Sequence, residues 1–246
     1  MMCRSGWQGK VPGWLVCQPF GMATTYLITG ANRGIGLEYA TQLRARGDTV
    51  IATCRDVDKA AELQSTGAEV LALDVTSEQS IADLGKVVSG RAVDVLINNA
   101  GVSSTSKSLA DCTQEELARV LLVNSIAPIL VTKAVLPALQ KGTTKLIVHI
   151  SSQLGSIANN TGGSSYGYRA SKAALNQFNR SLSAELAPEG FHTLCMHPGW
   201  VRTDMGGPHA TLSAQESVRS MLSVIAKARD VASGSFLNFD GKPLPW

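Results

Sequence analysis

Apolar and polar positions fall in blocks along the chain, and the blocks switch period. Tyr26, Leu27 and Ile28 form a short β-prone run ending in Thr29-Gly30, after which Leu37, Ala40 and Leu43 recur at helical spacing up to Arg46. Thr49 to Thr53 reads as a second strand, Asp58 to Ser65 as a short helix, and Glu69 to Leu73 as a third strand ending at Asp74-Val75. Ser77 to Ser89 reads as a helix capped by Ser77, with Ile81, Leu84 and Val88 on one face. Val93 to Ile97 is a continuous apolar strand of the type buried on both sides. Thr113 caps a long helix that opens with Gln114-Glu115-Glu116 and continues past Asn124. Lys145 to Ile150 is strand five, Tyr166 to Leu186 a helix and Phe191 to Met196 strand six. Ser213 to Ala228 is a further helix, and Ser235 to Phe239 a last strand before Asp240-Gly241.

Strand–helix alternation predicts an α/β fold: a single-domain, Rossmann-type doubly wound sheet of about seven parallel strands flanked by helices, with ligand at the strands' carboxyl ends. No internal repeat, linker or composition break divides it. Residues 1–21 stand apart, holding Trp7, Pro12, Trp14 and Pro19 with no clear period and no continuous apolar core of a secretory signal. They read as a leader or extension with little order, Met22 as the functional start, and residues 22–246 as the domain.

Composition narrows the class. Of 246 residues 44% are hydrophobic and 17% charged, enough apolar surface for a buried core and too little charge for a disordered chain. The net charge of +3 is made of interspersed basic and acidic residues, so no nucleic-acid or membrane partner is expected. No apolar run is expected to act as a membrane span of ~18 residues. Cys3, Cys17, Cys54, Cys112 and Cys195 are scattered without a C-x-x-C pair, which argues against disulfides or a zinc site and fits a reducing cytoplasm. His197, just before Pro198-Gly199, reads as a strand-end residue rather than a metal ligand.

The chemistry begins at Thr29-Gly30-Ala31-Asn32-Arg33-Gly34-Ile35-Gly36, between the first strand and first helix. Gly30 permits a sharp turn, Gly34 lets a pyrophosphate approach the backbone, and Gly36 lets helix and strand pack closely. The helix start then aims unpaired N–H groups at the phosphates. The spacing is G-x-x-x-G-x-G, not the commoner G-x-G-x-x-G, and a tight turn is the plain alternative. Tyr168 and Lys172 lie four residues apart on one predicted helix and so project from one face. A phenol with pKa near ~10 needs a cation to become a useful acid at neutral pH, and Lys172 supplies one. Tyr166 has only Ala170 four residues on, so spacing selects Tyr168.

Thr29–Gly36, Asn98-Asn99-Ala100-Gly101, Asn124, Ile150-Ser151-Ser152, Tyr168-Arg169-Ala170-Ser171-Lys172 and Pro198–Met205 occur in an order that resembles the short-chain dehydrogenase/reductase family over residues 23–246. Within it, Tyr168–Asn176 and Pro198–Pro208 are similar to the branch of sniffer-type carbonyl reductases and C-factor proteins. The resemblance implies that Tyr168 donates a proton to a carbonyl while Lys172 binds cofactor ribose hydroxyls and Ser152 holds the carbonyl oxygen. The family places this serine nearer its tyrosine than the sixteen residues separating Ser152 from Tyr168, so Gln153–Ser165 reads as an insertion and Ser151 and Ser156 stay as rivals. Asn124 is implied to kink its helix and anchor a water leading from Lys172.

Cofactor contacts implied by the resemblance come from Gly30, Asn32, Arg33, Gly34, Ile35, Gly36, Asp74, Val75, Asn98, Ala100, Gly101, Tyr168, Lys172, Pro198, Gly199, Val201 and Thr203. Asp74 takes the adenine amino group or caps a turn, and Asn98 braces neighbouring strands. Strand two ends in Cys54-Arg55 where a family member preferring NAD carries an acid, so Arg55 with Arg33 favours the 2′-phosphate of NADP(H), with NAD(H) open. Trp200 lines the pocket or packs. The implied activity is NADPH-dependent reduction of an aldehyde or ketone by a homodimer or homotetramer paired through Ile126–Ala138 and Ala173–Leu186. Reduction of 3-oxoacyl thioesters is a second enzymatic reading. A C-factor-like signalling or NAD(P)-binding role with incidental catalysis is the reading from another class.

Overall fold

The computed structural model describes residues 23–246; the readings of residues 1–21 and Met22 lie outside the described residues. Seven strands, β1 (Thr25–Ile28), β2 (Thr49–Cys54), β3 (Glu69–Ala72), β4 (Val95–Asn98), β5 (Leu146–Ile150), β6 (His192–His197) and β7 (Ser235–Asn238), form one parallel sheet in the order β3-β2-β1-β4-β5-β6-β7. The helices are α1 (Gly34–Ala45), α2 (Ala61–Ser65), α3 (Glu78–Val88), α4 (Gln114–Leu121), α5 (Ala127–Lys141), α6 (Tyr166–Leu186) and α7 (Ala214–Ile225). Strand direction of build-up reverses between β1 and β4, and in such sheets a crevice opens at the carboxyl ends there.

Alternation along each strand feeds two cores. Tyr26, Ile28, Val50, Ala52, Val95, Ile97, Leu146 and Val148 meet α1 and α7 on one side. Their neighbours Leu27, Ile51, Leu96 and Ile147 meet α3 and α5 on the other. Every residue of β4, β5 and β6 is buried, as the continuous apolar run Val93–Ile97 led one to expect for β4. The predicted caps Ser77 and Thr113 are present, each accepting from a backbone N–H three residues on, and Ser213 does the same for α7, completing a capping box with Glu216.

Two expectations change. The long helix continues past Asn124, but a five-residue π segment, Leu122–Ile126, joins α4 to α5. The continuous helix Gln114–Lys141 is also, by length and composition, apolar enough to cross a membrane, where no run was expected to do so. Half of that apolar window is buried, with Val131, Val135 and Leu139 in the core beneath the sheet, so here it serves as a core helix.

Candidate active site

A cleft of about 260 Å³ opens at the β1–β4 reversal. It is walled by Gly30, Asn32, Arg33, Gly34, Ile35 and Gly36 from the turn before α1, by Arg55, Asp74 and Val75 beyond β2 and β3, and by Ala100, Gly101, Tyr168, Lys172, Pro198 and Thr203. A side chain at Gly36 would strike the Gly30 carbonyl and lie 2.6 Å from Asn99 Nδ2, so helix and turn pack at glycine distance. Arg33 caps α1 without a side-chain bond, and the first turn carries no acid, so the leading N–H groups remain for an anion. This cradle, with Arg33 and Arg55 at its rim, fits a dinucleotide phosphate.

Three expected cofactor residues fall elsewhere. Asn98 points into the interior, where Nδ2 donates to Thr132 Oγ1 at 3.1 Å and lies 3.3 Å from His149 Nδ1. It braces strands, as read, but does not wall the cleft; Asn99 does, and its Nδ2 donates to the carbonyls of Thr29 and Gly30, both at 2.9 Å. Gly199 and Val201 line an adjoining cavity. Asp74 lies two residues beyond the end of β3, where its Oδ1 accepts from the Thr76 N–H at 2.9 Å and hydroxyl at 2.7 Å. The turn-cap role is therefore present together with its place in the cleft wall. Thr76 and then the Arg55 charge hold its carboxyl below the usual range, against burial.

The adjoining cavity, of about 340 Å³, is walled by Ser152, Tyr168, His197, Trp200, Met205 and their neighbours. Tyr168 lines both spaces and so stands where they meet. Ser152 Oγ, which accepts the Leu154 N–H at 3.1 Å, shares the wall of this cavity with the phenol and acts to lower it. A side chain at Gly155 would come within 2.8 Å of Lys172, so the turn after Ser152 sits directly on α6 opposite this pair. The rival serines are committed elsewhere: Ser151 Oγ donates to Asn176 Oδ1 at 2.7 Å, and Ser156 Oγ donates to the Trp246 carbonyl at 3.3 Å.

Lys172 is 5% exposed; its Nζ donates to the Ile150 carbonyl at 2.8 Å and lies 5.8 Å from the Tyr168 ring centroid. Burial lowers the ammonium to about 8. The expected lowering of the Tyr168 phenol does not appear. Burial raises it, and the neighbouring Ser152 hydroxyl only partly offsets that. Nζ is turned to the Ile150 carbonyl, and the ammonium is not among the groups that shift the phenol.

Asn124, fully buried in the π segment, donates from Nδ2 to the Val102 carbonyl at 2.9 Å and to Ser171 Oγ at 3.1 Å, and accepts the Val102 N–H at 2.8 Å. Its side chain ties the loop after β4 to α6. Over the cleft, the loop after β6 folds on itself: Val201 bridges Leu212, and Trp200 Nε1 donates to the Gly206 carbonyl at 2.9 Å. Its Asp204 pairs with Arg33 at 2.9 Å, although both side chains are largely exposed.

Comparison with known proteins agrees with this geometry. A family model described as short chain dehydrogenase matches residues 24–212. The C-signal protein of Myxococcus xanthus is 51% identical over 154 residues, covering 63% of this chain and 93% of its own length. The carbonyl reductase Sniffer of D. melanogaster superposes with a TM-score of 0.85 at 34% identity, covering 91% of this chain and all of the other. An NADPH-bound carbonyl reductase from chicken fatty liver gives 0.83 at 35% identity, over 91% and 99% of the two chains. By family match, sheet order and glycine turn together, this chain belongs to the short-chain dehydrogenase family of oxidoreductases, which use a nicotinamide cofactor on small-molecule substrates.

Proposed function

We propose that the chain is an NADPH-dependent reductase of aldehyde or ketone carbonyls, able to run in reverse as an alcohol dehydrogenase. The observation that carries this reading is the placing of Tyr168 at the junction of the phosphate-cradling cleft and the second cavity, with Lys172 lining the first and Ser152 the second. When bound, the dinucleotide supplies a hydride to the carbonyl carbon. Ser152 holds the carbonyl oxygen, and Tyr168 hands that oxygen its proton. The Lys172 ammonium stabilises the charge left on the phenol and takes ribose hydroxyls. Asn124 fixes the Val102 loop and Ser171 around them. Arg33 and Arg55 suit a 2′-phosphate, and the relative from chicken liver holds NADPH. Ile126 and Phe178 are apolar residues left partly exposed on the π segment and on α6, which supports pairing of subunits through these helices.

The test is NADPH oxidation across a panel of aldehydes and ketones, repeated with NADH. Turnover with NADPH is expected, reduced by about 10²–10⁴ in Tyr168→Phe, with NADPH affinity kept. Likeness to the C-signal protein favours a second reading, in which signalling is primary and catalysis incidental. A biological role that survives in Tyr168→Phe, with no carbonyl reduced by the wild type, would overturn the reductase reading and support that one.

A further inference from the structure

The substrate-side cavity holds a polar group that the reaction above does not use. His197 is the last residue of β6 and 7% exposed, and it lines the same cavity as Ser152 and Tyr168. Its Nδ1 is enclosed with no hydrogen-bond partner. Burial alone acts on the imidazole and lowers it to about 4, so the ring is neutral at physiological pH and carries one hydrogen. An enclosed N–H without an acceptor is a rarer orphan than an enclosed bare acceptor. The hydrogen therefore belongs on Nε2, as a donor for whatever fills the cavity.

The reacting carbonyl oxygen is not that acceptor. A carbonyl oxygen has two lone pairs, and Ser152 and Tyr168 occupy both. A third fixed donor beside them addresses a different atom. At the outer wall Trp200 and Met205 present apolar surface, about half exposed, to the remainder of the ligand. We infer that His197 selects the substrate, donating from Nε2 to an acceptor oxygen next to the reacting carbonyl, so the preferred substrates are α-oxygenated aldehydes or ketones with an apolar body. The inference rests on the reductase reading and names its substrate class.

The test uses two isosteric ketones, α-methoxyacetophenone and butyrophenone, which differ by an ether oxygen in place of a methylene. Both are reduced with NADPH by the wild type, His197→Phe, His197→Leu and His197→Gln, and NADPH affinity and thermal midpoint are measured for each. The ratio of kcat/KM for the ether over the alkyl ketone is expected to fall about three- to tenfold in the Phe and Leu variants, the worth of one neutral hydrogen bond. The Gln variant, whose amide donates again, is expected to regain part of it. A general packing role would lower both ketones together. An unchanged ratio in both apolar variants overturns the assignment, as does a wild type that reduces other carbonyls but not the ether ketone. A wild type that binds NADPH yet reduces no carbonyl overturns the reductase reading instead.

Discussion

Tyr168 and Lys172 illustrate how far one helical turn can be read and where reading stops. Spacing alone selects Tyr168 over Tyr166, which is 45% exposed in the structure. Spacing says nothing of dielectric, and burial raises the phenol and lowers the ammonium to about 8. The lysine consequence is measurable. Between about 8 and its ordinary 10.5 the unfolded chain binds a proton that the native side chain does not, so this group makes stability rise with pH across that window. Below about 8 the full penalty persists. Lys172→Met is therefore expected to be more stable than wild type at neutral pH, with the gap closing toward pH 10.5 in urea unfolding followed at several pH values; a gap constant with pH would contradict it. Asn98 shows a second limit. Its type and place at the end of β4 are legible, but which of Asn98 and Asn99 faces the cleft depends on strand parity, which only the register fixes.

Among the elements, the turn before α1 and the π segment hold the cleft in different ways. Gly36→Ala would press a methyl against the Gly30 carbonyl and Asn99, and can be accommodated only if α1 moves off β1. NADPH affinity, read by fluorescence titration, is expected to fall more than tenfold with little change in the far-ultraviolet circular dichroism. Retained affinity would show that the close approach is not required. Asn124→Ala strips three hydrogen bonds and leaves the Val102 N–H and carbonyl without partners, while Ser171 keeps its bond to the Tyr168 carbonyl, a cost on the order of 2 kcal/mol. Chemical denaturation checks this, and a loss below about 0.5 kcal/mol would mean that water replaces the amide fully. The family resemblance implied a kink at Asn124, but the π geometry over Leu122-Val123-Asn124-Ser125-Ile126 was not legible from the apolar pattern. What sets it is the tertiary demand of Val102 and Ser171 on one amide. The serine choice was likewise closed to sequence, because only folding takes Ser156 to Trp246 and Ser151 to Asn176.

For the whole molecule, sheet order and two-sided burial follow from strand–helix alternation, and the chain shows both plainly. The apolar window in Gln114–Lys141 is a useful contrast, because composition alone gives it to a bilayer while the fold gives it to the underside of the sheet. Cofactor discrimination also belongs to this scale, since Arg33 and Arg55 reach one rim from separate βα units. Arg55→Ala is expected to weaken NADPH about tenfold and NADH little, measured as the ratio of their dissociation constants; equal loss for both would remove the 2′-phosphate assignment. Arg33, by contrast, already holds Asp204 of the overlying loop. A guanidinium has five N–H donors and Asp204 takes one, so an incoming nucleotide phosphate is expected to share Arg33 and to weaken its tie on that loop. Because the pair is solvent-exposed and weak, added electrolyte performs the same loosening without nucleotide.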